Sequence, residues 1–227
     1  TPAEEGGSGK VYMVRAGLFD DVDAVLHWHP SSSNAANAES SNSNKSAKFR
    51  FTGISAHAAG SPHKGRSALD GVEAMNLMVN MMREHIPQES RIHYVITKGG
   101  LAPNVIPDLA EVYYYVRHPK REKVQEIFDW VVEAAEGAAI GTQTKVSYEV
   151  MHGNYSKLPN QTLQKIMHKN LLSRGGIKYS QEENEYAKKI HKTLISPGGK
   201  IGDQENIRPY STSHSYGSTD VGDVSWV

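Results

Sequence analysis

The chain has no cysteine among its 227 residues. That absence excludes a disulfide scaffold, a thiolate metal site and cysteine nucleophilic catalysis in one step. An excess of either charge is also lacking, since 25 Lys plus Arg stand against 25 Asp plus Glu. A neutral chain has no global electrostatic pull toward nucleic acid or anionic lipid, so no nucleic-acid partner is expected. No run of about 18 apolar residues occurs, which leaves no membrane span in the sequence. Apolar residues are sparse overall, at 38%, and mean hydropathy is −0.54. The opening residues carry no basic segment followed by an apolar one, so there is no signal-peptide pattern, and the expected location is cytoplasmic.

What is present is ordered by period. A short helix is predicted over residues 10–16. The apolar run Val22, Ala24, Val25, Leu26 and Trp28 reads as a buried strand ending in His27 and His29. Residues 31–46 are almost all Ser, Asn and Ala, which predicts a solvated connection or a weak edge strand. From Lys48 the alternation is clean. Phe49 and Phe51 mark a strand, and Leu69, Val72, Met75, Val79, Met82 and Ile86 form one helical stripe closed by Pro87. Ile92, Tyr94 and Ile96 alternate in a second strand, and Val112, Tyr114 and Val116 in a third, with Tyr113, Tyr115 and Arg117 on its other face. Pro119 opens a helix carrying Val124, Ile127, Phe128, Val131, Ala135 and Ala138, and a fourth strand follows at Val146, Tyr148 and Val150. Strand, helix, strand, strand, helix, strand over about 105 residues matches a split βαβ, ferredoxin-like arrangement. Beyond Asn154, two further helices are predicted around Leu163–Leu171 and residues 182–194, and then a polar loop over residues 196–218.

Several residues invite chemistry, each against a plainer reading. Glu4 and Glu5 can divide metal binding and proton transfer between them, or can be two solvated acids at a helix start. His27 and His29 share a strand face and can ligate a metal, or can be a hydrogen-bonded structural pair. His57 lies among small residues in Gly53-Ile-Ser-Ala-His-Ala-Ala, where an imidazole can donate to an oxyanion or simply sit in a polar loop. Asn104 is bracketed by Pro103 and Pro107, and Arg117 ends a strand. Placed at neighbouring strand ends, the two suit a carboxylate, or they are an Asx-turn and a snorkelling arginine. Three Asn-x-Ser/Thr sequons, at Asn44, Asn154 and Asn160, are read as coincidental.

Taken in order, Pro-Ala-Glu-Glu-Gly, Asp-Val-Asp-Ala-Val-Leu-His-Trp-His-Pro, Gly-Ile-Ser-Ala-His-Ala-Ala, Ala-Pro-Asn-Val-Ile-Pro, Tyr-Val-Arg and Ser-Thr-Asp-Val-Gly-Asp-Val-Ser-Trp resemble the M20 family of metallopeptidases and amidohydrolases. The likeness leans toward its aminobenzoyl-glutamate utilization subgroup. It implies an α/β plus α+β protein: part of an M20 catalytic α/β domain (residues 1–46 and 155–227) with an inserted ferredoxin-like (βαββαβ) dimerisation or lid domain (residues 47–154). It further implies two divalent metal ions, zinc or manganese, a homodimer formed through the lid, and hydrolysis of the amide bond of an N-acyl amino acid. Residue by residue, Glu4 resembles the general base, Glu5 and His29 metal ligands, and His27 a non-ligand. His57 resembles a lid histidine that reaches the neighbour's site to steady the oxyanion, and Asn104 and Arg117 resemble groups that hold the substrate carboxylate. Asp220 falls in a loop resembling one that lines the site. The family's Cys/His-Gly-His-Asp/Asn stretch and its last metal-binding histidine are not in the sequence. The expectation is therefore a hydrolase truncated at both ends, with this polypeptide alone binding no metal tightly and inactive. The competing expectation is a non-catalytic dimerising module derived from such an enzyme.

Overall fold

The computed structural model describes residues 3–4 and 6–227. They form two compact units. The first comprises Thr1–Asp20, Ser41–Lys157 and Ser215–Val227, and the second Asp21–Ser40 and Leu158–His214. The chain begins with helix α1 (Gly9–Arg15) and the short strand β1 (Ala38–Ser41). Then come β2 (Ser43–Thr52), α2 (Ala68–Met82), β3 (Arg91–Lys98), β4 (Leu109–His118), α3 (Arg121–Thr142) and β5 (Lys145–Asn154). This is the strand–helix–strand–strand–helix–strand order that the hydrophobic period predicts.

Those four long strands make one sheet in the order β3-β4-β2-β5, with every neighbouring pair antiparallel. Both helices bury their apolar stripes on one face of it. Val72, Met75 and Val79 of α2 and Val124, Phe128 and Val131 of α3 share a core with Phe49, Phe51, Val112, Tyr114 and Val116. Phe49 meets Tyr114 edge-on at 5.9 Å between centroids, a geometry the ring quadrupoles favour. The buried Tyr114 hydroxyl donates to Asn76 Oδ1, so burial leaves no orphan, and the phenol is pushed well above its ordinary pKa by that burial. Ser67 caps α2 by accepting the Asp70 amide at 3.1 Å. The helix stops at Met82, four residues short of the predicted stripe.

Two expectations are corrected. The apolar run at residues 22–28 is not a strand, and Leu26 and Trp28 stand 67% and 82% exposed. Apolar residues make a strand only where a neighbour completes the ladder, and among the described residues none pairs with this run. Conversely, of the two readings of the Ser/Asn stretch, the short strand β1 fits the weak edge strand and the solvated connection fails. Ser41, Asn42, Ser43, Asn44 and Ser46 are all buried, and β2 starts inside the stretch at Ser43. Their polarity is satisfied locally: Ser43 Oγ donates to the Asn154 carbonyl at 2.7 Å, Asn42 Nδ2 to the Tyr216 carbonyl at 3.0 Å, and Ser41 Oγ accepts the Lys157 amide at 3.0 Å.

The remaining elements are α4 (Gln161–Arg174), α5 (Gln181–His191), β6 (Thr212–Ser215) and α6 (Val221–Val224). α5 opens on a capping box, with Ser180 and Glu183 each accepting the other's backbone amide. β6 pairs with β1 in a two-stranded sheet, so the predicted polar loop contains a strand. Among the described residues no helix is long and apolar enough to cross a membrane.

Candidate active site

The acidic turn is fixed from both ends of the sequence. Ala3 and Ser8 adopt the left-handed conformation, with φ of 63° and 51°, and the Gly7 amide reaches the Ala3 carbonyl at 2.8 Å. Glu4 is half-buried, and its Oε1 accepts the Thr219 hydroxyl at 2.9 Å. Directly beside it, Asp220 is 1% exposed. That carboxylate accepts the Lys10 backbone amide at 2.9 Å and the Lys10 ammonium at 2.7 Å. Glu5 lies outside the described residues.

His57 is presented by a loop that follows β2. The Ala56 carbonyl accepts the Ile106 amide and the Asn104 carbonyl accepts the Ala58 amide, both at 2.9 Å. His57 and Asn104 are thereby welded into one loop pair. The imidazole is exposed, and its Nδ1 accepts the amides of Ala59 and Gly60 at 3.2 and 3.0 Å. With Nδ1 engaged as an acceptor, the ring proton sits on Nε2, which is left as a donor. The small residues around it are needed: a Cβ at Gly53 would lie 1.9 Å from the Arg66 carbonyl oxygen, and one at Gly65 would lie 2.5 Å from Ile106 Cδ1.

Arg117 is half-buried on the sheet face away from the helices, with its guanidinium 5.5 Å from the Tyr115 ring centroid. Its Nε is buried with no hydrogen-bond partner among the described residues, as are Asn44 Oδ1 on the paired strand position and His152 Nδ1. His152 Nε2 meets the Tyr115 hydroxyl at 3.2 Å, and that hydroxyl accepts from Tyr113 at 3.3 Å. Burial, followed by the Arg117 charge, holds His152 below the ordinary imidazole range, while Asp220 pulls it the other way.

Arg117 and Asn104 do not meet within one protomer, contrary to their expected placement at neighbouring strand ends. Asn104 precedes the start of β4 at Leu109, and Arg117 is next to its end. The two ends of that run are separated by about 27 Å, at about 3.4 Å per residue. Arg117 instead shares an end of the sheet with Glu4. It pairs with Asn44, which pairs with Asn154, whose side-chain amide donates to the Thr219 carbonyl at 3.1 Å. Thr219 then holds Glu4. Thr219 and His152 carry no local sequence signal. Thr219 is 215 residues from its partner, and His152 looks like any strand histidine.

His27 and His29 belong to the second unit and are exposed. His29 Nδ1 donates to the Pro30 carbonyl at 2.8 Å, which in a neutral ring leaves Nε2 as the free lone pair that a metal takes. Among the described residues, however, no three His, Asp or Glu side chains converge as a metal cage. The described donors therefore do not by themselves fit a metal ion.

Residues 40–143 match the model of the peptidase dimerisation domain of the M20 type. The chain is 43% identical to one of the two kinds of p-aminobenzoyl-glutamate hydrolase polypeptide of Escherichia coli K12, an alignment covering 99% of this chain and 52% of that protein. It is 30% identical to the Xaa-Arg dipeptidase of Mus musculus, over 100% of this chain and 46% of that one. The chain thus spans about half the length of the curated relatives it matches. Among solved structures, an aminobenzoyl-glutamate utilization protein from Klebsiella pneumoniae superposes with a TM-score of 0.59 at 19% identity, covering 92% of this chain and 48% of that one. An amidase of the hydantoinase/carbamoylase family from Burkholderia vietnamiensis gives 0.61 at 14% identity, covering 85% and 39%. At such identities these two speak for the fold.

Proposed function

We propose that the chain, whose residues 40–143 match the M20-type peptidase dimerisation domain, is an M20 peptidase family member and part of a hydrolase cleaving the amide bond of an N-acyl amino acid, with aminobenzoyl-glutamate-like compounds as the substrate class. The names of the relatives support the substrate class. The observation that carries the reading is the division of the site residues between two ends of one sheet. Glu4 and Arg117 lie toward one end, and His57 and Asn104 at the other. A homodimer built through this domain uses both ends if each protomer lends its His57 and Asn104 to the neighbour's Glu4 and Arg117.

The chemistry of the chain's own residues follows. Glu4 takes a proton from the attacking water, whose oxygen bonds to the amide carbon. The carbonyl oxygen becomes an oxyanion and accepts a hydrogen bond from Nε2–H of the neighbour's His57. Glu4 returns the proton to the amine nitrogen as the C–N bond breaks. Arg117, whose Nε has no hydrogen-bond partner among the described residues, pairs with the substrate carboxylate, and Asn104 of the neighbour donates its amide to the same substrate. Of the zinc or manganese ligands that the family resemblance implies, Glu5 lies outside the described residues and His29 belongs to the second unit, and two ligands are too few to close a site.

Dimer contact is assigned to the edge strand β3 and the outer face of α2. Leu77, Met81 and Val95 there are 59%, 61% and 56% exposed, apolar side chains that a partner would cover. The test is release of the free amine from p-aminobenzoyl-glutamate by the intact protein supplied with manganese or zinc. Turnover supports the hydrolase. A folded, metal-loaded dimer that cleaves neither this compound nor other N-acyl amino acids is instead the non-catalytic dimerising module.

A further inference from the structure

The segment from Thr219 to Val224 is built more rigidly than a loop of its length requires. The Thr219 carbonyl accepts the Asn154 side-chain amide and the Gly222 backbone amide, both at 3.1 Å. Asp223 Oδ2 accepts the Tyr155 amide at 2.9 Å. Gly222 lies so close to the chain leaving β5 that a Cβ would stand 2.0 Å from the Tyr155 carbonyl oxygen. Asp220, buried, clamps the first turn of α1 through both the amide and the ammonium of Lys10.

The outcome of all this fixation is one side-chain contact. The Thr219 hydroxyl has a single proton to give and accepts the Val221 amide at 3.4 Å, so its proton is directed to Glu4 Oε1 at 2.9 Å. A hydrogen bond to a carboxylate is among the stronger kinds and fixes its rotation. Oε2, by contrast, has no hydrogen-bond partner among the described residues, which makes it the more open of the two oxygens to a proton.

We propose that Thr219 is a positioning residue for Glu4, selecting which carboxylate oxygen handles the proton, and that Asp220 anchors the turn on which Glu4 stands. The inference rests on the reading of Glu4 as the general base. It places a residue near the end of the sequence in control of one at its start, with the exit of the lid domain at Asn154–Tyr155 as the common support.

The test compares Thr219→Val, Thr219→Ser and Glu4→Gln in the intact metal-loaded enzyme, with kcat and KM on p-aminobenzoyl-glutamate and thermal midpoints measured for each. Valine keeps the shape and removes the donor. A base left to rotate loses part of the about 10²–10⁴-fold that a positioned general base supplies. The expected result is a kcat about tenfold lower for Thr219→Val with KM within about twofold, recovered to near the parent value by Thr219→Ser. Should the valine variant fail to fold, Thr219→Ala against Thr219→Ser makes the same comparison. Full kcat in the valine or alanine variant, with Glu4→Gln inactive, overturns this inference and leaves the hydrolase reading standing. An active Glu4→Gln overturns the assignment of Glu4 and this inference with it.

Discussion

His57 and Val105 face each other across an antiparallel bridge, so the imidazole and the neighbouring Asn104 move as one unit. The loop is held by the Asn104 backbone carbonyl, while its side chain is exposed. Truncating that side chain therefore spares the scaffold. Asn104→Ala is expected to leave the thermal midpoint within about 2 °C and to lower kcat/KM about 10- to 100-fold, the cost of one hydrogen bond to a charged group. Steady-state kinetics beside differential scanning fluorimetry checks both halves. An unchanged kcat/KM removes Asn104 from the site.

The lid core makes a sharper demand. Gly71 of α2 sits over Phe51 of β2 so closely that a Cβ would lie 2.5 Å from the ring, and both residues are buried. Gly71→Val must push the helix off the sheet, at a cost of about 1–3 kcal/mol from overpacking. A drop of several degrees in the thermal midpoint is the expected readout. A variant as stable as the parent contradicts the packing described.

Stability is also expected to depend on pH through His93 and His152. Both are held below the ordinary imidazole range, by burial first and then by the Arg117 charge. As pH falls through about 6.5 the unfolded chain takes up protons that the folded chain refuses, so these groups subtract stability below that pH and are neutral above it. Asp223, held above the ordinary carboxylate range by burial, has the opposite sign: the folded chain keeps a proton that the unfolded one releases, so its contribution worsens as pH rises. Urea midpoints at pH 8 and pH 5.5 should differ less in His152→Asn than in the parent. Equal differences would show that His152 does not titrate with folding.

Dimerisation is predicted to depend on exposed apolar residues of α2 and β3. Met81→Glu combined with Val95→Lys places charges on α2 and on the edge strand β3, where Met81 and Val95 are 61% and 56% exposed. Light scattering is expected to show a shift toward monomer, with association weakened about 100-fold or more if these are central contacts. Activity is expected to fall in parallel if, as proposed, each site uses the neighbour's His57. A dimer of unchanged affinity places the interface elsewhere.

Legibility in the sequence followed the range of the interactions. The lid was readable because its strands and helices repeat over local windows: Val112, Tyr114 and Val116 all point into the core, as their alternation says. The burial of the Ser/Asn stretch is hidden from local sequence because it is underwritten by residues far along the chain, such as Tyr216, 174 positions from Asn42. The run through Trp28 had the opposite fault, apolar residues with no ladder partner among the described residues. The candidate site residues could be named, but not arranged. Most of β4 lies between Arg117 and the loop of Asn104, and no periodicity predicts that Thr219 returns to Glu4.

The most direct measurement mixes two inactive proteins. Intact Glu4→Gln and His57→Ala homodimers are each expected to lose nearly all hydrolysis of p-aminobenzoyl-glutamate. If His57 serves the neighbouring protomer, a mixed dimer contains one site with both residues intact. After protomer exchange at equal concentrations, activity should return to roughly a quarter of the parent value, because half the dimers are mixed and each carries one competent site. Exchange demonstrated by mass with no return of activity would contradict the shared site.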